Sequence, residues 1–132
     1  MAGSSFAFDL VSPERRLATL EVTEVQIPGA EGDLTAMQGH APVITTLRPG
    51  VLRAAGQGGV QAYAVTGGFA EIAAGAVTVL AERAIPLADV TSALLDGFIA
   101  EARSRLDDAP ADRASAEKTL ADMIALKASI AA

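Results

Sequence analysis

Short strand-like runs of apolar residues, the first alternating briefly with period two, recur over the first two thirds of the chain. Phe6-Ala7-Phe8-Asp9-Leu10-Val11 alternates briefly and then meets Ser12-Pro13, a turn signal. Leu17 to Ile27 is strand-like and rich in Thr, Val and Ile. Its apolar positions change parity midway: Leu20 and Val22 share one face, Val25 and Ile27 the other. Strand side chains alternate faces, so the switch predicts either a β-bulge or a strand crossing between sheets. Further on, strands are predicted at Val51–Ala55, Val60–Val65, Phe69–Ala73 and Val77–Glu82. They are separated by Gly56-Gln57-Gly58-Gly59, Gly67-Gly68 and Ala74-Gly75, the turn chemistry of hairpins. Many short strands with glycine-rich turns argue for a β-sandwich or barrel.

Near residue 88 the period changes. Asp89 is the expected N-cap of a helix, and Val90, Leu94, Leu95, Phe98, Ile99, Ala102 and Leu106 recur at helical spacing. Asp107-Asp108-Ala109-Pro110 interrupts, because Pro110 cannot continue a helix but can open the next. A second, alanine-rich helix is predicted with Leu120, Met123, Ile124, Lys127 and Ile130 along one side. Glu101/Arg105, Arg103/Asp107, Arg113/Glu117 and Lys118/Asp122 stand four apart, each adding a few tenths of a kcal/mol. The expected fold is an all-β N-terminal sandwich over 1–87 followed by an α-helical antiparallel hairpin over 88–132.

Between the two strand-like regions, Ile27 to Gly50 packs four Gly, three Pro and the only histidine into 24 residues. Glycine opens backbone angles closed to other residues and proline fixes φ. This stretch reads as a set of tight corners, a place where binding residues gather.

Composition narrows the function classes. Hydrophobic residues make up 51% but aromatics only 4%, so the core must be built largely from Ala, Val, Leu and Ile, and a sugar- or drug-binding pocket is poorly supplied. No run approaches the roughly 18 apolar residues of a membrane helix, and no membrane insertion is expected. The opening MAGSS is short and polar, and neither a secretion signal nor an Arg-rich presequence is expected. Without cysteine there is no disulfide framework. The net charge of −6 is shared by both halves and offers no basic face for nucleic acid.

His40 has no neighbours to complete a metal site or a catalytic dyad. It reads as a structural hydrogen-bonding residue or a partner contact. The glycine pairs separate strand from strand, unlike phosphate loops, which lead from strand to helix. Glu31/Asp33 and Asp107/Asp108 read as solvated turns, with Asp33 notable at the centre of the corner-rich surface. No catalytic residue, metal or cofactor is expected.

Pro28-Gly29-x-x-Gly32-Asp33-Leu34, Gly39-His40-Ala41-Pro42, Leu47-x-Pro49-Gly50, Gly67-Gly68-Phe69-x-Glu71-Ile72 and Thr78-Val79-Leu80-Ala81-Glu82 follow one another in register. In this order they resemble the ε subunit family of the F-type proton-translocating ATP synthase. The resemblance runs from about residue 6 to the C-terminus. It implies a non-catalytic rotor subunit whose sandwich sits at the foot of the γ subunit, against the c ring. There it couples proton-driven rotation to γ and to ATP synthesis, as a peripheral subunit on the cytoplasmic face of the bacterial inner membrane. Gly32, Asp33, Gly39, His40 and Pro42 match the family's surface near the c ring. In the family the hairpin can rise along γ towards the α/β subunits and inhibit ATP hydrolysis, and some members bind ATP through an Ile-Asp-x-x-Arg-Ala pattern. The matching stretch here is Ala88-Asp89-Val90-Thr91-Ser92-Ala93. Only Asp89 and Ala93 fit, and the phosphate-pairing Arg is Ser92, so tight ATP binding is not expected. The second helix is charge-balanced, so strong inhibition is not expected either. The competing reading is a free-standing ligand-binding sandwich with a helical dimerisation hairpin.

Overall fold

The computed structural model describes residues 5–14, 16–39, 41–56, 58–108 and 113–131. The chain divides into two compact units, Met1–Leu87 and Ala88–Ala132. Among the described residues, ten strands make up the first: β1 (Phe6–Val11), β2 (Arg16–Val22), β3 (Glu24–Gly29), β4 (Gly32–Met37), β5 (Val43–Thr46), β6 (Gly50–Gly56), β7 (Gly59–Val65), β8 (Gly68–Ala73), β9 (Ala76–Ala81) and β10 (Ala84–Pro86). They form two five-stranded sheets, sheet I in the order β2-β1-β9-β8-β5 and sheet II in the order β10-β7-β6-β3-β4. β1 and β9 run parallel, and the other pairs are antiparallel.

Alternation decides which residues fill the space between the sheets. Sheet I contributes Phe6, Phe8, Leu10, Val22, Ala70, Ile72, Val77, Val79 and Ala81. Sheet II contributes Val25, Ile27, Ala36, Leu52, Ala54, Tyr63, Val65 and Ala84. Full burial of each larger side chain stabilises by about 1.5–3 kcal/mol.

The parity change is a sheet crossing. β2 ends on buried Val22 in sheet I, and β3 carries buried Val25 and Ile27 in sheet II. At the hinge, Thr23 donates its backbone N–H to the Ala55 carbonyl at 2.7 Å and its hydroxyl to the same oxygen at 3.2 Å. A register irregularity does exist in the β1–β2 pair, but between Leu10 and Val11, at the other end of β2.

The corner-rich stretch holds more regular structure than its glycines and prolines suggest, since β4 and β5 both lie within it. Each is an edge strand, and its apolar positions are few or exposed: Ala36 alone is buried in β4 and none in β5. With one face and one edge open to solvent, the alternation that marks an interior strand is lost. β10, which ends on Pro86, also went unpredicted.

A 3₁₀ turn at Leu87–Asp89 leads to the second unit, helices α1 (Ser92–Asp108) and α2 (Arg113–Ala131). The predicted N-cap at Asp89 is corrected to Thr91. Its hydroxyl accepts the Leu94 N–H at 3.1 Å and its carbonyl accepts the Leu95 N–H at 3.1 Å, the N3 and first intrahelical bonds of a capped helix. Asp89 is occupied by the 3₁₀ turn, so Val90 precedes the helix. On α1, Leu95, Phe98 and Ala102 are buried as the spacing predicts. On α2 the buried residues are Met123 and Leu126, whereas Ile124 is 45% exposed. Alanine on every side of α2 blurs the stripe, and the placing of Ile124 in it is corrected by packing against α1. The pair Lys127–Asp96 joins the end of α2 to the start of α1, which makes the hairpin antiparallel. Arg113–Glu117 and Lys118–Asp122 close at 3.0 and 2.8 Å. Pro110 lies outside the described residues.

A braced corner and an apolar row

The β3–β4 hairpin turns through Ala30 and Glu31, with Gly29 paired to Gly32. Gly32 has φ of +137°, a backbone open to glycine and strained for other residues. Asp33 follows as an early residue of β4, its side chain 77% exposed. Gly39, at φ +86°, closes the turn after β4, and exposed Pro42 leads into β5. His40 lies outside the described residues. The extended run of β4 separates the Gly32/Asp33 corner from the Gly39/Pro42 corner by roughly 20 Å at about 3.3 Å per residue. The structure therefore presents two corners at opposite ends of one edge strand.

The first corner is held by a residue that sequence reasoning passed over. Arg48 donates from Nη1 to the Gly29 carbonyl at 2.5 Å and from Nη2 to the Asp33 carboxylate. The same segment is bonded through its backbone: Arg48 N–H to Pro28 O at 3.0 Å and Ala30 N–H to Thr46 O at 2.8 Å. Gly50 lies so close to Pro28 that a Cβ there would come within 2.6 Å of the proline Cβ. Arg48 occupies the unassigned position of Leu47-x-Pro49-Gly50, and that position was the available signal.

The outer face of sheet I carries an apolar row. Register aligns Thr46, Phe69, Leu80 and Val11 across β5, β8, β9 and β1. Ile44 lies in the next row, beside Glu71. Ile44 is 67% exposed, Phe69 45% and Leu80 40%. Contiguous exposed apolar side chains of this kind mark a protein-contact surface.

Among the described residues there is no group of three or more His, Asp or Glu side chains placed to hold a metal, and no helix is long and apolar enough to cross a membrane. Between α1 and α2 lies a groove lined in part by Ser104, Arg105, Ser115 and Thr119, with Glu101 and Asp108 on its wall. Those two carboxylates oppose a phosphate. Asp89 is exposed in the 3₁₀ turn and does not line the groove.

The sequence profile described as "ATP synthase, Delta/Epsilon chain, beta-sandwich domain" matches residues 5–87. The chain is 64% identical over 130 residues to "ATP synthase epsilon chain 1" of Cereibacter sphaeroides, covering 98% of each chain. It is 48% identical over 126 residues to the ATP synthase epsilon chain of Paracoccus denitrificans, covering 95% of this chain and 85% of that one. Its structure superposes with a TM-score of 0.73 and 26% identity on a chain of the Euglena gracilis mitochondrial ATP synthase assembly containing OSCP, F1 and the c-ring, covering 96% of this chain and 81% of that one.

Proposed function

The chain belongs to the ATP synthase delta/epsilon chain family, and from that premise we propose that it is a non-catalytic rotor subunit coupling c-ring rotation to γ and so to ATP synthesis. The sandwich, residues 1–87, is the rotor domain. It sits peripherally at the cytoplasmic face of a bacterial inner membrane. The apolar row Phe69-Leu80-Val11 with Ile44 receives γ, and the corners at Gly32/Asp33 and Gly39/His40/Pro42 meet the c ring or γ. The observation that carries this reading is the apolar row, because an exposed sheet face of large side chains asks for a protein partner. With a tag on the N-terminal arm, purification from membranes in mild detergent recovers γ, the α/β subunits and c. Phe69→Glu lowers that recovery and leaves the thermal midpoint of the isolated chain nearly unchanged. Recovery of the wild-type chain alone overturns the proposal.

The hairpin, residues 88–132, acts as a weak regulator. Each basic side chain of α2 already faces a carboxylate of the hairpin: Arg113 with Glu117, Lys118 with Asp122, and Lys127 with Asp96. Little positive charge is left to engage acidic segments of the catalytic subunits. Deleting residues 89–132 leaves the ATPase rate of the assembled enzyme within about twofold, and a several-fold rise refutes weak inhibition.

A further inference from the structure

The turn bearing Gly32 and Asp33 is poorly supported by its own sheet. β4 is an edge strand, and β6 pairs with β3 only over Glu24–Gln26. From Ile27 to Leu34 the hairpin is a two-stranded ribbon, an arrangement that is marginal by itself. Its support comes from the segment Thr46–Arg48, which leads from β5 in sheet I towards β6 in sheet II. Leu47 donates its N–H to Gly68 O of β8, in sheet I, at 2.8 Å. The flanking bonds, Ala30 N–H to Thr46 O and Arg48 N–H to Pro28 O, hold the ribbon to that segment.

Arg48 completes this clasp with its side chain. One guanidinium nitrogen bonds Gly29, on the arm entering the turn, and the other bonds Asp33, on the arm leaving it. The Arg48 side chain is 27% exposed and its bond to Gly29 O is partly buried, so that prong is better shielded than the bond to Asp33, whose side chain is 77% exposed and whose pairing has the small worth of a surface ion pair. A planar, two-pronged donor is needed to reach both arms, and the single ammonium of lysine cannot replace it.

We propose that Arg48 is the positioning residue of this corner: its guanidinium clamps both arms of the β3–β4 turn to a segment anchored in the opposite sheet, so that load applied at the turn passes into both sheets. One oxygen of the Asp33 carboxylate is then held by Arg48, and the partner meets the turn backbone, Glu31 and the exposed remainder of Asp33. The load-bearing part of this inference rests on the rotor reading above, whereas the clamp stands on the geometry.

The two parts are tested separately. In the isolated full-length chain, hydrogen exchange at the Ala30 amide becomes about tenfold faster in Arg48→Ala, with Arg48→Lys and Asp33→Ala intermediate. Exchange at Val79, in the middle of β9, stays unchanged. An Ala30 rate within twofold of wild type overturns the clamp. If Arg48→Ala does not fold, Asp33→Ala, which removes one prong, decides by the same criterion. In membrane vesicles of the assembled enzyme, Arg48→Ala lowers ATP-driven proton pumping per ATP hydrolysed at least twofold, with the chain retained in normal amount. Unchanged coupling together with a faster Ala30 amide overturns load bearing and leaves the clamp. Coupling that survives loss of the whole chain overturns the rotor reading and leaves the exchange result standing.

Discussion

Replacing Gly68 by Ala tests whether the sandwich is as closely fitted as its backbone indicates. Gly68 opens β8 opposite Ala81 at φ +110°. A Cβ built there lies 1.9 Å from the Leu80 carbonyl oxygen and 2.9 Å from the Ala81 Cα. Those atoms cannot yield cheaply, because β9 is held between β1 and β8 in sheet I. The positive φ costs about 1–2 kcal/mol for an L-residue. Forcing atoms into a filled site costs about 1–3 kcal/mol more. The sum, roughly 2–5 kcal/mol, is a large share of the roughly 5–15 kcal/mol that holds a domain together. The shift must also disturb the Leu47 N–H bond to Gly68 O. Tyr63 makes the assay selective: it is the only tyrosine, the chain has no tryptophan, and it lies buried in β7 of the sandwich. Urea unfolding followed by its fluorescence therefore reports on the sandwich alone, with a lower midpoint and an unchanged slope for the variant. In heating, the midpoint falls by at least about 8 °C, at about 4–8 °C per kcal/mol for a domain of this size. Gly75→Ala is the control. No atom lies within 4 Å of its Cβ position and its φ is not in the left-handed region, so the change is neutral or stabilises by about 0.4–1 kcal/mol. A Gly68→Ala variant within 1 kcal/mol of wild type would refute the close approach.

Thr91→Ala removes the cap of α1 and destabilises the hairpin by about 1 kcal/mol, seen as lost helical ellipticity on mild heating. Asp89→Ala leaves that signal nearly unchanged, and the reverse order would return the cap to Asp89. Leu126→Ala, at a buried position, costs about 2–3 kcal/mol, whereas Ile124→Ala, 45% exposed, stays within about 0.5 kcal/mol in the same melts. Millimolar ATP shifts the helical melting midpoint by less than about 1 °C, because linkage stabilisation requires ligand well above its dissociation constant; a shift of several degrees would show a nucleotide site that the Ser92 substitution has not abolished.

The interior strands were legible because nearest-neighbour chemistry marks them. β6 to β9 are short apolar-rich runs set between glycine turns, and the predicted ends fall within a residue of the observed ones. β4 and β5 were not legible, since an edge strand with a solvated face has no hydrophobic pattern to display. At the candidate corner, glycine chemistry pointed to Gly29, Gly32 and Gly39; Gly32 and Gly39 have positive φ, whereas Gly29 ends β3 without it. Arg48 was hidden. Its partners Gly29 and Asp33 are 19 and 15 residues away, and no local spacing announces a bond at that separation.

The sequence by itself determined the order of sandwich and hairpin, the glycine turns between β6 and β9, and the buried side of α1, because each follows from local periodicity and backbone freedom. It stated that Leu20 and Val22 face one way and Val25 and Ile27 the other, but a bulge and a crossing produce the same string. Tertiary structure chose the crossing, because Thr23 bonds Ala55 of the second sheet and Val25 and Ile27 find their burial there. It likewise placed the two corner motifs at opposite ends of β4 and set Arg48 across the first. Contacts between residues far apart in the chain depend on how the sheets close, and closure is a property of the whole packed core.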